Sequence, residues 1–146
     1  MVAARRASPN RFILPVFATV TYGALVIALF GFISLIADRD FIVEADAGPL
    51  LGPWMVAVAC AVTFVALVRT QSRAAPWATA VVAAASAYAL MLVAGGLAYM
   101  VTRGELIWAL LFAARYAVSP FVVGAAVLTA VIVIALWFVV PRSPQG

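Results

Sequence analysis

Long apolar runs separated by short polar breaks make up nearly the whole chain, and the run lengths set the architecture. The first run extends from Phe12 to Ala37, about 26 residues or roughly 39 Å as a helix, enough to cross a hydrocarbon core of roughly 30 Å with tilt. A second run goes from Leu50 to Val68, a third from Trp77 to Val101 and a last from Phe121 to Val140. Each of these is about 19 to 25 residues, the length of one crossing. The pattern predicts an all-α membrane protein, a four-helix transmembrane bundle with spans over residues 12–37, 50–68, 77–101 and 120–140. Inside hydrocarbon each such helix satisfies its own backbone polar groups, which no open strand can do.

Prolines sharpen the boundaries. Pro49 and Pro53 open the second run, Pro76 the third and Pro120 the last, which Pro141 closes. A first helical turn tolerates proline because the missing N–H has no partner there anyway. Between the third and fourth runs, residues 105–119 are apolar nearly all round except at Arg115 and Tyr116. About 15 residues make roughly 22 Å of helix, short for a crossing, so an interfacial or re-entrant helix is expected before the last span. The alternative is a single long helix running into the last span with a kink at Pro120. Either arrangement keeps the number of crossings even.

Composition supports lipid as the solvent. Hydrophobic residues make up 68% of the 146-residue chain and charged ones 10%, an apolar excess that a soluble domain of this size cannot bury. The net charge of +4 comes from arginine alone among the cations. The arginines sit singly or in pairs beside apolar runs, where they meet headgroups and orient the spans, so nucleic acid is not an expected partner. Arg5, Arg6 and Arg11 precede the first run, Arg69 and Arg73 lie in the second break and Arg142 in the tail, whereas the other breaks hold Arg39, Arg103 and Arg115. This asymmetry predicts a bacterial plasma-membrane protein with both termini cytoplasmic. The first run is too long for the apolar part of a cleaved secretory signal and is expected to be a retained span. Trp54, Tyr99, Trp108 and Tyr116 are expected at the outer interface, and Phe12, Trp77 and Trp137 at the inner one.

Small residues suggest where helices meet. Ala80, Ala84, Ala87, Gly95 and Ala98 share one face of the third run, and Gly23 with Gly31 offers a smaller version in the first. Close approach through such faces drives association in lipid, where apolar burial contributes little. The third helix is therefore expected near the centre of the bundle.

Candidate chemistry is sparse. The chain has no histidine and one cysteine, Cys60, inside an apolar run. A Ser-His dyad, a histidine metal site, an internal disulfide and a Cys-x-x-Cys pair are all excluded. No acid lies at the middle of a span, so the carboxylate relay of many proton-coupled transporters is missing. Cys60 is read as a packing residue. Asp38, Asp40, Glu44 and Asp46 cluster after the first run, but without the glycine turn of an EF-hand loop they are read as a solvated outer loop, with a weak cation or partner site as the alternative. Arg115 is the most notable polar residue, because an arginine within an apolar helix usually has a partner or a water path; Glu105 or an acid of the first outer loop is its expected ion partner. If its helix lies at the interface, Arg115 snorkels to headgroups instead. Hydroxyls within the runs, at Thr19, Thr21, Ser34, Thr63, Thr79, Ser86 and Thr129, either line a polar route or, more commonly, bond to their own or neighbouring helices.

The opening Pro9-Asn10-Arg11-Phe12-Ile13-Leu14-Pro15, running into Tyr22-Gly23-Ala24-Leu25-Val26, resembles the start of small four-span actinobacterial proteins grouped as a family of unknown function. The resemblance implies a four-span membrane fold over the whole chain, and no activity or functional residue. The reading that follows is a non-enzymatic accessory or scaffold subunit without cofactor, embedded in the lipid bilayer and packing with another membrane protein or with copies of itself. A small oligomeric transporter or channel, with Arg115 or the hydroxyls along its route, is the alternative.

Overall fold

A computed structural model describes residues 10–38, 48–70 and 76–139. Five helices follow one another there: α1 (Asn10–Ala37), α2 (Leu51–Thr70), α3 (Pro76–Arg103), α4 (Ile107–Tyr116) and α5 (Pro120–Val139). α3 and α5 start on Pro76 and Pro120, and Pro53 occupies the first turn of α2. Pro15 lies inside α1, and its carbonyl accepts a 2.8 Å hydrogen bond from the Thr19 hydroxyl. α3 stops at Gly104, whose φ of 80° turns the chain left-handed while its N–H bonds to the Met100 carbonyl at 2.7 Å. Glycine reaches that conformation without a Cβ clash, the usual helix stop. α1 ends on Asp38 at φ 47°, a position that short acidic side chains tolerate better than most.

α3 is the centre of the bundle, packed against α2, α4 and α5, while α1 packs against α2 and α5. Small side chains make this possible, since Ala80, Ala83, Ala87 and Gly95 are all buried on α3. The core has two layers. One gathers Tyr22, Val26, Phe30, Met55, Met91, Phe112, Phe121 and Val122 from all five helices. The other gathers Leu67, Ala80, Ala83, Val133 and Leu136 toward the far ends of α2, α3 and α5. Outside, the pattern is inverted relative to a soluble protein, with Phe17 at 70% and Leu35 at 81% exposure on α1 alone. Four helices are long and apolar enough to cross a membrane, and with apolar surface on this scale the chain is a multi-pass membrane protein.

The short α4 lies antiparallel along the C-terminal half of α3. Trp108 meets Tyr99 at a ring distance of 6.1 Å, Phe112 covers Gly95, and the Ala117 carbonyl receives the Tyr88 hydroxyl at 2.7 Å. Rising numbers on α4 thus meet falling numbers on α3, so the chain turns back along the helix it has just left. α4 and α5 are separate helices, broken at residues 117–119, and a single helix kinked at Pro120 does not form. Proline biases the residue before it, Ser119, away from helical geometry.

Two sequence expectations need correction. Tyr99 and Tyr116, expected in an interfacial belt, are each 4% exposed, because both pack on Phe112 in the core, Tyr99 tilted at 5.7 Å and Tyr116 stacked at 4.3 Å between ring centroids. Trp54 and Trp77 do face outward.

Candidate functional site

Near the middle of α1, α2 and α5, three hydroxyls meet where no water reaches. Tyr22, Thr63 and Thr129 are each 0% exposed. The Tyr22 hydroxyl donates to the Ala125 carbonyl at 3.1 Å, Thr129 Oγ1 donates to the Tyr22 oxygen at 3.1 Å, and Thr63 and Thr129 lie 3.2 Å apart. Each hydroxyl has one proton to give, and the order Thr63 to Thr129 to Tyr22 to the Ala125 carbonyl uses each once. Thr129 also lies 3.1 Å from that same carbonyl. No buried side-chain nitrogen or oxygen among the described residues lacks a partner. The cluster ties α1, α2 and α5 together.

A second polar feature lies at the turn between α3 and α4. A cleft of about 650 Å³ is lined by Tyr99, Arg103, Trp108, Leu111, Phe112, Ala114 and Arg115. The Arg103 guanidinium rests over the Trp108 ring at 4.8 Å and the Tyr99 ring at 5.6 Å, and its Nε donates to the Tyr99 hydroxyl at 3.3 Å. Cation–π contact and hydrogen bond together fix a side chain that would otherwise be free to turn.

The third feature is a groove of about 350 Å³ on the outer surface between α2 and α3, with Ala61, Val65, Arg69, Thr79, Ala83 and Ser86 among its lining residues. Small side chains make it concave, and its lining is apolar apart from Arg69, Thr79 and Ser86.

The structure places the candidates from the sequence as follows. Arg115 lines the α3–α4 cleft, and Glu105 is exposed on the turn that leads into α4. Asp38 is exposed at the end of α1; Asp40, with the rest of its acidic loop, lies outside the described residues. Among the described residues no cluster of three or more potential metal ligands forms. Of the packing candidates, Ala87 and Gly95 are buried and Ala84 is half-buried. Gly23 approaches Cys60, with 3.4 Å from a built Cβ to Sγ, whereas Gly31 faces away with nothing within 4 Å. The buried stripe of α1 runs through Tyr22, Val26 and Phe30. At about 100° per residue Gly23 lies roughly 60° round the helix from Val26 at the centre of that stripe, whereas Gly31 lies roughly 140° away, off the inner face. Thr19 and Thr21 bond back to the carbonyls of Pro15 and Phe17.

Sequence reasoning missed three positions. Tyr22 carried no signal beyond its apolar neighbours. Gly96 brings the Ala109 carbonyl within 3.0 Å of where its Cβ would be, and Gly124 brings Leu29 within 2.8 Å. Gly96 stands beside Gly95, and that glycine pair was the one available hint.

No curated protein matches the chain, and no solved structure does. A family described as "Family of unknown function (DUF6121)" matches residues 3–146. A match over nearly the whole chain, through every helix described above, shows that the protein belongs to that family of unknown function.

Proposed function

We propose that the protein is a non-enzymatic accessory or scaffold subunit, which takes a helix of another membrane protein into the groove between α2 and α3. That groove is the observation that supports the reading. Helices associate in lipid through close backbone approach and interhelical hydrogen bonds. Ala61 and Ala83 allow the first, and Ser86 offers the second. The interior gives little to any other function, since its hydroxyls bond one another. A route for a small transporter or channel would therefore have to run between copies of the chain.

A photo-crosslinking side chain at Ala61, which is exposed in the groove, tests the reading. In native membranes it should capture one protein at constant stoichiometry, while the same probe at Val20 on the far side of α1 captures none. Ala61→Trp should fill the groove and release that protein with the bundle intact. Equal crosslinking from both positions, or lipid adducts alone, would count against the assignment.

A further inference from the structure

We propose that the cleft between α3 and α4 is a water-filled vestibule, which carries the solution at the α3–α4 turn down to the helix break at residues 117–119. The break lies deep. α5 runs opposite to α3, since Phe121 and Ala125 share a core layer with Met91 and Tyr99, whereas Val133 meets Ala80 and Ala83. α4 and α5 therefore descend along α3 one after the other, as a discontinuous helix. The Phe121 ring meets Phe30 at 5.4 Å, and Phe30 lies about 10 Å short of the end of α1 at Ala37. The Ala117 carbonyl is held by Tyr88, which lies about 22 Å short of the end of α3 at Arg103. Both measures put the break well inside a hydrocarbon core of roughly 30 Å.

Nor is the break buried within the chain. Val118 is 84% exposed, and Pro120 is exposed as well. Interrupted backbone at such depth persists only where protein covers it or where it lines a water-filled cavity, because lipid tails offer no hydrogen bonds. The cleft supplies the cavity. It begins beside Arg103 and Trp108 at the turn and is lined along α4 by Leu111, Ala114 and Arg115. Helical geometry continues through Ala117, at φ −54° and ψ −39°, so Val118 falls about 20° round the helix from Leu111 and about 40° from Ala114. The lining face of α4 thus runs straight onto the exposed residue of the break.

Arg115 supports the same conclusion from its charge. It stands about one turn before the break, and a guanidinium at that depth, whatever its partners, calls for water or polar surroundings rather than acyl chains. Phe112 also lines the cleft, and it is buried with Tyr116 stacked on it. That pair closes the vestibule toward the core, so the space is a blind inlet and not a pore.

The test is thiol labelling in native membranes by a membrane-impermeant methanethiosulfonate, on variants with one cysteine in a Cys60→Ala background. Glu105→Cys, on the exposed turn, marks the side, and Ala114→Cys and Val118→Cys probe the vestibule. Ile27→Cys and Val93→Cys replace exposed residues of α1 and α3 outside the cleft. Ala114→Cys and Val118→Cys should react from the same side as Glu105→Cys and within about tenfold of its rate. Ile27→Cys and Val93→Cys should react at least ~100-fold more slowly, because hydrocarbon suppresses the thiolate. Adding Ala114→Trp should slow the reaction at Val118→Cys about tenfold and leave Glu105→Cys unchanged. Protection of Val118→Cys equal to that of Ile27→Cys overturns the proposal. Protection that disappears when the purified protein is reconstituted in lipid overturns it equally, since a partner protein then covers the break in place of water. An unchanged rate with Ala114→Trp overturns the cleft as the route. The unaltered protein gives a second reading in lipid nanodiscs: amides at residues 117–119 should exchange with D2O at least about tenfold faster than those around Cys60, and equal protection overturns the proposal as well.

Discussion

Tyr22 and Thr129, 107 residues apart in the chain, share a 3.1 Å hydrogen bond at the buried meeting point of α1 and α5. Thr63 of α2 adds a third hydroxyl 3.2 Å from Thr129. Interhelical hydrogen bonds in lipid contribute about 0.6 kcal/mol on average and up to about 1.7 kcal/mol. Tyr22→Phe, Thr63→Val and Thr129→Val should each destabilise the bundle by amounts in that range, read from unfolding in denaturing detergent. Because the three act as one network, the Thr63→Val/Thr129→Val double variant should lose less than the sum of its singles. Strict additivity would show that the threonines act independently.

The glycines of α3 should differ sharply from that of α5. A Cβ at Gly95 would lie 2.5 Å from Phe112 and 2.9 Å from Met55, and Phe112 is held by its stacking on Tyr116. Gly95→Ala should cost about 1–3 kcal/mol through overpacking, and Gly96→Ala should act similarly against the Ala109 backbone. At Gly124 the obstacle is the end of the Leu29 side chain, which can rotate away. Gly124→Ala should therefore be the mildest of the three in a thermal melt.

Tyr88 holds the joint between α4 and α5. Helix ends leave carbonyls without a helical donor, and the Ala117 carbonyl receives the Tyr88 hydroxyl at 2.7 Å. Tyr88→Phe should cost about 0.5–1.5 kcal/mol, the usual net contribution of one hydrogen bond, since this one is only partly buried. Hydrogen exchange should show the loss as faster turnover at residues 117–123, with α2 unaffected.

Cys60 supplies a probe that needs no substitution. It is the sole cysteine, half-buried in the middle of α2, where hydrocarbon excludes the water that a thiolate requires. A water-soluble maleimide should leave it unmodified in intact membranes and modify it fully after denaturation. Rapid labelling in native membranes would place α2 in contact with water.

The four long helices were legible because a crossing demands an unbroken apolar run, and few other constraints produce one. Their starts were legible at Pro76 and Pro120 because proline has few places to sit in a helix. The central position of α3 followed from its alanines and Gly95, since small side chains imply close neighbours. What stayed hidden depends on rotation and register between helices. Tyr22 reads as one more apolar residue until α5 brings the Ala125 carbonyl and Thr129 to its hydroxyl. Arg103 reads as a loop charge until α4 doubles back and lays Trp108 beneath it. Tyr99 and Tyr116 fit an interfacial belt by position along their segments, and only the packing of α4 on α3 turns them inward.

If the four long helices are the crossings and α4 turns back along α3, the two ends of the chain should lie on one side of the membrane. Fusion of green fluorescent protein and, separately, alkaline phosphatase to each terminus measures this directly. Both termini should report the same compartment, the cytoplasm according to the arginine distribution, with fluorescence at each and phosphatase activity at neither. Termini reporting opposite compartments would mean an odd number of crossings and would contradict the antiparallel placement of α4.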